Sequence, residues 1–339
     1  MRLIWLALFP LSAALVAGCS TATLRPSDNR LIAGRTFVVT GASSGFGRGV
    51  ALELARRGGN VVLAARRTDV LEEVASQVRA AGGTPLVVTT DVAEPHAVEQ
   101  LARATVTRFG RIDAWINNAG IGAIGRFGDI PVADHARVVD VNLKGVIYGS
   151  HAALRQFRTQ GFGTLVNISS VEGEIALPYH ASYAATKHAV LGLGAALHQE
   201  LRLAGLKRVK VSTVMPWASD TPYFQHTANY SGGSPRMAMM DGPEKVVAAI
   251  VRAAIRPQKR VAVGWKAKAA VTAYRLAPGL TEHVAGNVVH HAQIETAPPA
   301  PPTSGSLHEP MREGIGVEGG VRARMKREDM ARKRLASPR

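Results

Sequence analysis

Tyr183 and Lys187 stand four apart in SYAATKHAVLGLGAAL, a run with helical apolar spacing, so both side chains emerge on one face. An ammonium beside a phenol is a proton-transfer device. A free phenol with a pKa of about 10 is a poor acid or base near neutrality, and a neighbouring positive charge favours phenolate and lowers that value. Upstream, residues 164–168 read as a buried strand ending in Ser169 and Ser170, the second of them thirteen residues before Tyr183. A serine hydroxyl at a strand end can donate to a substrate carbonyl oxygen while the tyrosine transfers the proton.

The elements that must position these groups begin at residues 36–47, TFVVTGASSGFG, where a β-branched run feeds a glycine turn that opens a helix. Glycines remove the Cβ atoms that would block the backbone, and the free N–H groups of the helix N-terminus then face a pyrophosphate. Thr40, Gly41, Ser43, Ser44, Gly45, Phe46 and Gly47 are therefore candidate cofactor residues. A helix pattern follows (Val50, Leu52, Leu54, Ala55), and a second strand over 60–65 closes a βαβ unit. Where dinucleotide folds place a carboxylate for a ribose 2′-hydroxyl, this chain has Ala65 and then Arg66 and Arg67. Guanidinium groups pair with phosphate through charge-assisted hydrogen bonds, so NADP(H) is favoured over NAD(H). A third hydrophobic run over 85–89 leads to Asp91 and Val92, and Asp91 either holds the adenine edge or caps the next helix.

With these residues in hand, the chain resembles a single-domain short-chain dehydrogenase/reductase over about residues 34–260. The resemblance rests on TGASSGFG at 40–47, NNAG at 117–120, Asn142 within VNLKG, NISS at 167–170 and YAATK at 183–187. It implies an α/β fold, a doubly wound parallel sheet of about seven strands, and a tetrad of Asn142, Ser170, Tyr183 and Lys187. By that analogy Tyr183 is the general acid/base, Ser170 positions the substrate oxygen, Lys187 holds the nicotinamide ribose, and Asn142 supports a water-linked proton path. Ser169 is the alternative to Ser170. Asn118, Ala119 and Gly120 line the cofactor crevice in the family, although Asn-Asn-Ala-Gly after a strand is also turn chemistry. Where the family has Pro-Gly after the sixth strand, this chain has Pro216-Trp217, which puts the pocket shape in doubt; Thr221 stands where a threonine meets the carboxamide. Dimers or tetramers are implied by the same resemblance.

Specificity in this fold is expected from loops at the carboxyl ends of the strands, residues 121–131 and 217–240. The second holds Trp217, Tyr223, Phe224, Tyr230, Met237, Met239 and Met240, which either cover a lipophilic carbonyl or alcohol or pack the loop on the domain.

The formal net charge is +16, and residues 322–339 contribute +6 of it through eight Lys or Arg and two acidic residues. That tail suits anionic lipid better than specific nucleic-acid recognition, since aromatics are not interleaved with its cations; as a plain reading it is a solvated, disordered tail after the proline-rich linker at 297–305. Residues 263–293 read as a helical extension, a lid, a membrane-surface element or a closure of the domain, with a break at Pro278-Gly279. At the other end an apolar stretch over 3–17 leads to VAGCS. It reads as an uncleaved anchor with the catalytic domain on the cytosolic side, because Arg25, Arg30 and Arg35 follow it. An exported lipoprotein attached at Cys19 and a dispensable leader are the alternatives. Cys19 is the single cysteine, so an intrachain disulfide is excluded, and no metal site is expected.

The sequence thus points to an NADP(H)-dependent oxidoreductase acting on a small-molecule carbonyl or alcohol. A membrane-tethered NADP(H)-binding sensor or scaffold without turnover is the competing reading. An isomerase or epimerase on the same fold is a third, disfavoured because no nucleotide-sugar domain is evident.

Overall fold

The computed structural model describes residues 24–336. Strands β1 (Thr36–Thr40), β2 (Asn60–Ala65), β3 (Thr84–Thr89), β4 (Ala114–Asn117), β5 (Gly163–Ile168), β6 (Val209–Met215) and β7 (Arg260–Ala262) form one sheet. Its order is β3-β2-β1-β4-β5-β6-β7, with every pairing parallel. The order reverses between β1 and β4, which places a crevice at the carboxyl ends of those two strands. Sequence logic explains the apolar strands: parallel sheets are covered on both faces, so successive residues of β1 are buried in opposite directions. Phe37 and Val39 join one core with Leu54, Leu71 and Ile250, while Val38 joins the other with Leu101, Trp115 and Phe157.

The first core is packed by α1 (Gly45–Ala55), α2 (Thr68–Ala80) and, behind the central strands, α7 (Glu244–Ile255). On the opposite face lie α3 (Pro95–Phe109), α5 (Gly145–Gln160) and α6 (Ala181–Leu203). Short α4 (Val132–Val139) runs into α5 through a π-helical turn, Asp140–Lys144. Across the two middle strands the Asn117 amide donates to Asn167 Oδ1 at 2.9 Å and its oxygen accepts from Trp115 Nε1 at 2.7 Å, a buried ladder that fixes the crevice floor.

The helical extension is a hairpin of α8 (Gly264–Leu276) and α9 (Pro278–His290), broken where Pro278 begins the second helix. Beyond it the chain departs from the expected linker and disordered tail. Residues 297–320 run back across the domain without regular structure and lead into α10 (Val321–Ala336). The physical reason is that the tail finds partners: the Asp220 carboxylate accepts from the Val321 N–H at 2.7 Å and the Arg322 N–H at 3.2 Å, and buried Arg236 pairs with Asp329 at 2.9 Å. Among the described residues no helix is long and apolar enough to cross a membrane. The apolar stretch with Cys19, read as an anchor or signal, lies outside the described residues.

Candidate active site

Strand β5 and helix α6 bring the chemistry-bearing residues together. Ser170 lies two residues past the end of β5, and its hydroxyl accepts from the Glu172 N–H at 3.1 Å while hydrogen bonding to the Tyr183 phenol. Ser169, the alternative, is buried and donates to the Lys187 carbonyl at 2.8 Å, so its hydroxyl is committed to the helix backbone. Lys187 is 4% exposed, its Nζ donating to the Ile168 carbonyl at 3.0 Å and standing 5.3 Å from the centre of the Tyr183 ring.

Burial pushes the Lys187 ammonium down to about 8, against the opposing pull of Glu172. Burial also raises the Tyr183 phenol, Glu172 raises it further, and the Ser170 hydrogen bond pulls the other way. This corrects the expectation of a lowered phenol. In the free protein burial and the nearby Glu172 carboxylate together keep the Tyr183 phenol protonated.

Asn142 sits in the π-helical turn, fully buried. Its Nδ2 donates to the Ile121 carbonyl at 2.9 Å and to Thr186 at 3.4 Å, and its Oδ1 accepts from the Ile121 N–H at 2.9 Å. Both amide hydrogens are thereby engaged, and the residue clamps the loop beside the cavity rather than facing it.

At the other end of the crevice, Thr40 staples β1 to β4. Its hydroxyl accepts from the Asn118 and Ala119 N–H groups at 3.0 and 3.1 Å, and Asn118 Nδ2 returns a bond to the Thr40 carbonyl at 2.9 Å. The glycine turn is packed so closely that a Cβ on Gly47 would lie 2.1 Å from the Gly41 carbonyl oxygen, and one on Gly41 would lie 2.8 Å from Ala119 Cα. This packing seats the turn against β4, and the Gly45 N–H at the start of α1 donates to the Gly316 carbonyl at 2.9 Å. Asp91 accepts from the Ala93 N–H at 3.0 Å and pairs with Arg137 at 2.5 Å, so it acts as a cap and an ion-pair partner at the cavity edge.

Arg66 and Arg67 make no ion pair among the described residues. Their donors reach neutral oxygens: Arg66 the carbonyls of Ser306 (2.6 Å) and His308 (2.8 Å), Arg67 those of Met311 (2.9 Å) and the hydroxyls of Ser43 (2.9 Å) and Ser44 (3.1 Å). Burial lowers both guanidinium pKa values, and each is lowered further by a neighbouring arginine, Arg137 for Arg66 and Arg66 for Arg67.

A single cavity of about 330 Å³ joins the two ends. Of the sequence-derived candidates, Gly41, Ser43, Ser44, Gly45, Phe46, Arg66, Arg67, Asp91, Val92, Asn118, Ala119, Gly120, Ser170, Tyr183, Lys187, Pro216 and Thr221 line it. Thr40, Gly47 and Asn142 stand behind the lining. Thr221 sits against the glycine turn, its Cβ 3.6 Å from where a Gly45 side chain would begin.

The substrate half is apolar. Trp217 donates its indole N–H to the Met239 carbonyl at 3.0 Å, which swings the ring to the cavity wall beside Val171 and Ile175. Tyr223, Phe224 and Met237 also line the cavity, whereas Tyr230 is turned away to bond Asp134 at 2.5 Å and Met239 is exposed. The Tyr223 ring packs 5.6 Å from that of Tyr183, with its hydroxyl in the space left by Gly122, where a Cβ would approach to 2.1 Å. The helical hairpin adds Ala270, Thr281 and Ala285 to the wall.

Sequence reasoning missed Glu172 and His180. His180 Nδ1 lies 3.1 and 3.2 Å from the two Glu172 carboxylate oxygens, and both residues line the cavity. The available signal was their spacing, two residues after Ser170 and three before Tyr183.

Comparison with known proteins agrees with this geometry. The sequence model of the short chain dehydrogenases matches residues 35–230. The uncharacterized oxidoreductase YxnA of Bacillus subtilis is 32% identical over 278 residues, 81% of this chain and 78% of that protein. The putative oxidoreductase SadH of Mycobacterium tuberculosis is 35% identical over 244 residues, 70% of this chain and 88% of its own length. Among solved structures, an alcohol dehydrogenase from the archaeon Thermococcus sibiricus, complexed with 5-hydroxy-NADP, superposes with a TM-score of 0.57 at 29% identity, covering 67% of this chain and 93% of its own. A short-chain dehydrogenase from Streptomyces avermitilis gives a TM-score of 0.62 at 28% identity, covering 73% and 95%. The glycine cradle, the sheet order and these matches together make the chain a member of the short-chain dehydrogenase/reductase family of oxidoreductases.

Proposed function

We propose that this oxidoreductase is NADP(H)-dependent and interconverts a lipophilic carbonyl and its alcohol, with Tyr183 exchanging the proton. The observation that carries the reading is one cavity with the glycine turn and two arginines that make no ion pair among the described residues at one end and Ser170, Tyr183 and Lys187 at the other. The residues fit the cofactor: the glycine turn that opens α1 lines the cavity, and Arg66 and Arg67 beside it supply positive charge for a 2′-phosphate. The nicotinamide, when bound, supplies the hydride.

The chain's own residues do the rest. Ser170, whose hydroxyl reaches the phenol, donates to the substrate oxygen and sets it against Tyr183. A phenol kept protonated by burial is suited to donate as the oxygen gains charge, and the Lys187 ammonium, 5.3 Å from the ring, stabilises the phenolate that results. Asn142 is a positioning residue that fixes Ile121 and, through Thr186, the first turns of α6. Trp217, Phe224 and Met237 give the substrate half its apolar character, which supports an apolar ketone or secondary alcohol.

The test follows NADPH oxidation by absorbance with a panel of cyclic and long-chain ketones. Tyr183→Phe should retain NADPH binding and lose about 10²–10⁴-fold in turnover. Undiminished turnover in that variant would remove Tyr183 from the chemistry, and tighter binding of NADH than NADPH would remove the cofactor assignment.

A further inference from the structure

The segment 305–320 passes over the phosphate end of the crevice and is tied to both of its lips. On one lip Arg66 donates to the Ser306 and His308 carbonyls, Arg67 to that of Met311 at 2.9 Å and Arg48 to that of Ile315 at 2.7 Å, while the Gly45 N–H donates to the Gly316 carbonyl at 2.9 Å. On the other lip Arg137 Nε donates to the Leu307 carbonyl at 3.0 Å, and His308 Nε2 lies 2.8 Å from the Asp134 carboxylate. Both feet are clamped. Gly305 has φ +52° and lies so close that a Cβ would reach the His226 carbonyl at 2.3 Å; a Cβ on Gly319 would reach the Thr221 carbonyl at the same distance.

Between those feet the segment forms part of the cavity wall. Ser306, Pro310 and Met311 line the same cavity as Ser43, Arg66 and Tyr183. Most of its bonds to the domain come through backbone carbonyls, so the arginines are held without being neutralised by a carboxylate of the segment. The segment lies beyond residues 35–230, which the short chain dehydrogenase sequence model matches.

We infer that residues 305–320 are a strap belonging to the cofactor site, which closes over the adenosine-phosphate half of the dinucleotide during each turnover and slows the exchange of spent for fresh nucleotide at its end. The inference rests on the nucleotide-binding reading above and adds that release requires the strap to lift. Breaking several charge-assisted bonds together makes that step slow.

The experiment loads the full-length protein with NADPH, chases with excess NADP+ and follows the loss of bound-nicotinamide fluorescence. Gly305→Val and Gly319→Val, each a wedge under one foot and outside the cavity lining, are compared with the unmodified chain. Both wedges should speed release at least tenfold. Unchanged release in folded variants overturns the strap, and so does nucleotide binding that appears only in the wedged proteins, since the segment would then be a plug. If a wedge prevents folding, trypsin cleavage after exposed Arg312 in the unmodified chain decides: NADPH should slow it at least fivefold, and no protection overturns the inference. The same chase with NADH separates the two readings, because faster NADH release from the wedged proteins keeps the strap even if the preference for NADPH fails.

Discussion

The two ends of the crevice are held in place by different means. At the catalytic end Lys187, Ser169 and Asn142 are fixed by bonds to the backbone of the sheet, of α6 and of the adjoining loop, with partners 18 to 21 positions away in sequence. At the phosphate end Arg66, Arg67 and Arg48 are fixed by carbonyls 240 to 267 positions away. The first end is rigid because it is part of the fold's own core. The second takes its geometry from a segment that crosses afterwards, so its charge is set by local sequence but its shape is not.

That contrast can be broken most severely at the cradle. Gly47→Ala puts a methyl against the Gly41 carbonyl, backbone that cannot give way without moving the turn. A displacement worth about 3 kcal/mol lowers NADPH affinity by about 100-fold, read by fluorescence titration, while the tetrad geometry is untouched. Arg66→Ala comes next. A charge-assisted bond to a phosphate is worth about 1.5–3 kcal/mol, so NADPH affinity should fall about 10- to 100-fold, with NADH affinity changed far less. An equal loss for both nucleotides would show that Arg66 serves the strap and not the 2′-phosphate.

A smaller effect sharpens the catalytic end. Lys187 loses its proton at about 8, so kcat/KM, which reports the free protein, should fall as pH rises through that value, the ammonium being present below it and absent above. Glu172 pulls the Lys187 value upward. Glu172→Gln removes that pull, and the alkaline limb of the pH profile should move to lower pH. A limb that moves upward, or not at all, would show that Glu172 acts only by holding His180.

What was legible in the sequence follows the same division. The first βαβ unit, the strand ending in Ser169 and Ser170 and the Tyr183–Lys187 pair were readable because each depends on a local pattern, β-branched runs, a glycine turn and a four-residue helical spacing, whereas the full sheet and the tetrad were implied only by the resemblance to the family. Glu172 and His180 were passed over because a lone acid and a lone histidine have no spacing rule that marks a dyad. The raised phenol was misread since spacing reveals the nearby lysine but neither the burial nor the Glu172 carboxylate that raises the phenol. The strap was invisible for a stronger reason: its bonds use backbone carbonyls, which every residue possesses, so nothing in LHEPMREGIGVEGG distinguishes it from a linker.

The smallest expected effect bears on the basic helix beyond the strap, where composition favoured a solvated tail and the structure shows a docked one. Asp220 stands at the N-terminus of α10 and accepts from two of its first N–H groups, while its carboxylate also meets Arg322 Nε at 3.2 Å. A capping side chain is worth about 1 kcal/mol, and in a chain of this size that shifts the melting temperature by only about 2–4 °C. Asp220→Ala should therefore leave the global melt almost unchanged while the eighteen-residue basic end, rich in Lys and Arg, becomes open to trypsin. Arg236, 3% exposed and paired with Asp329, gives the helix a second hold, so cleavage should spread from the N-terminal turn inward. If the unmodified chain is cut there as fast as the variant, the cap contributes nothing, and the docking of the strap's far foot has to rest on Gly319 and the Arg236 pair alone.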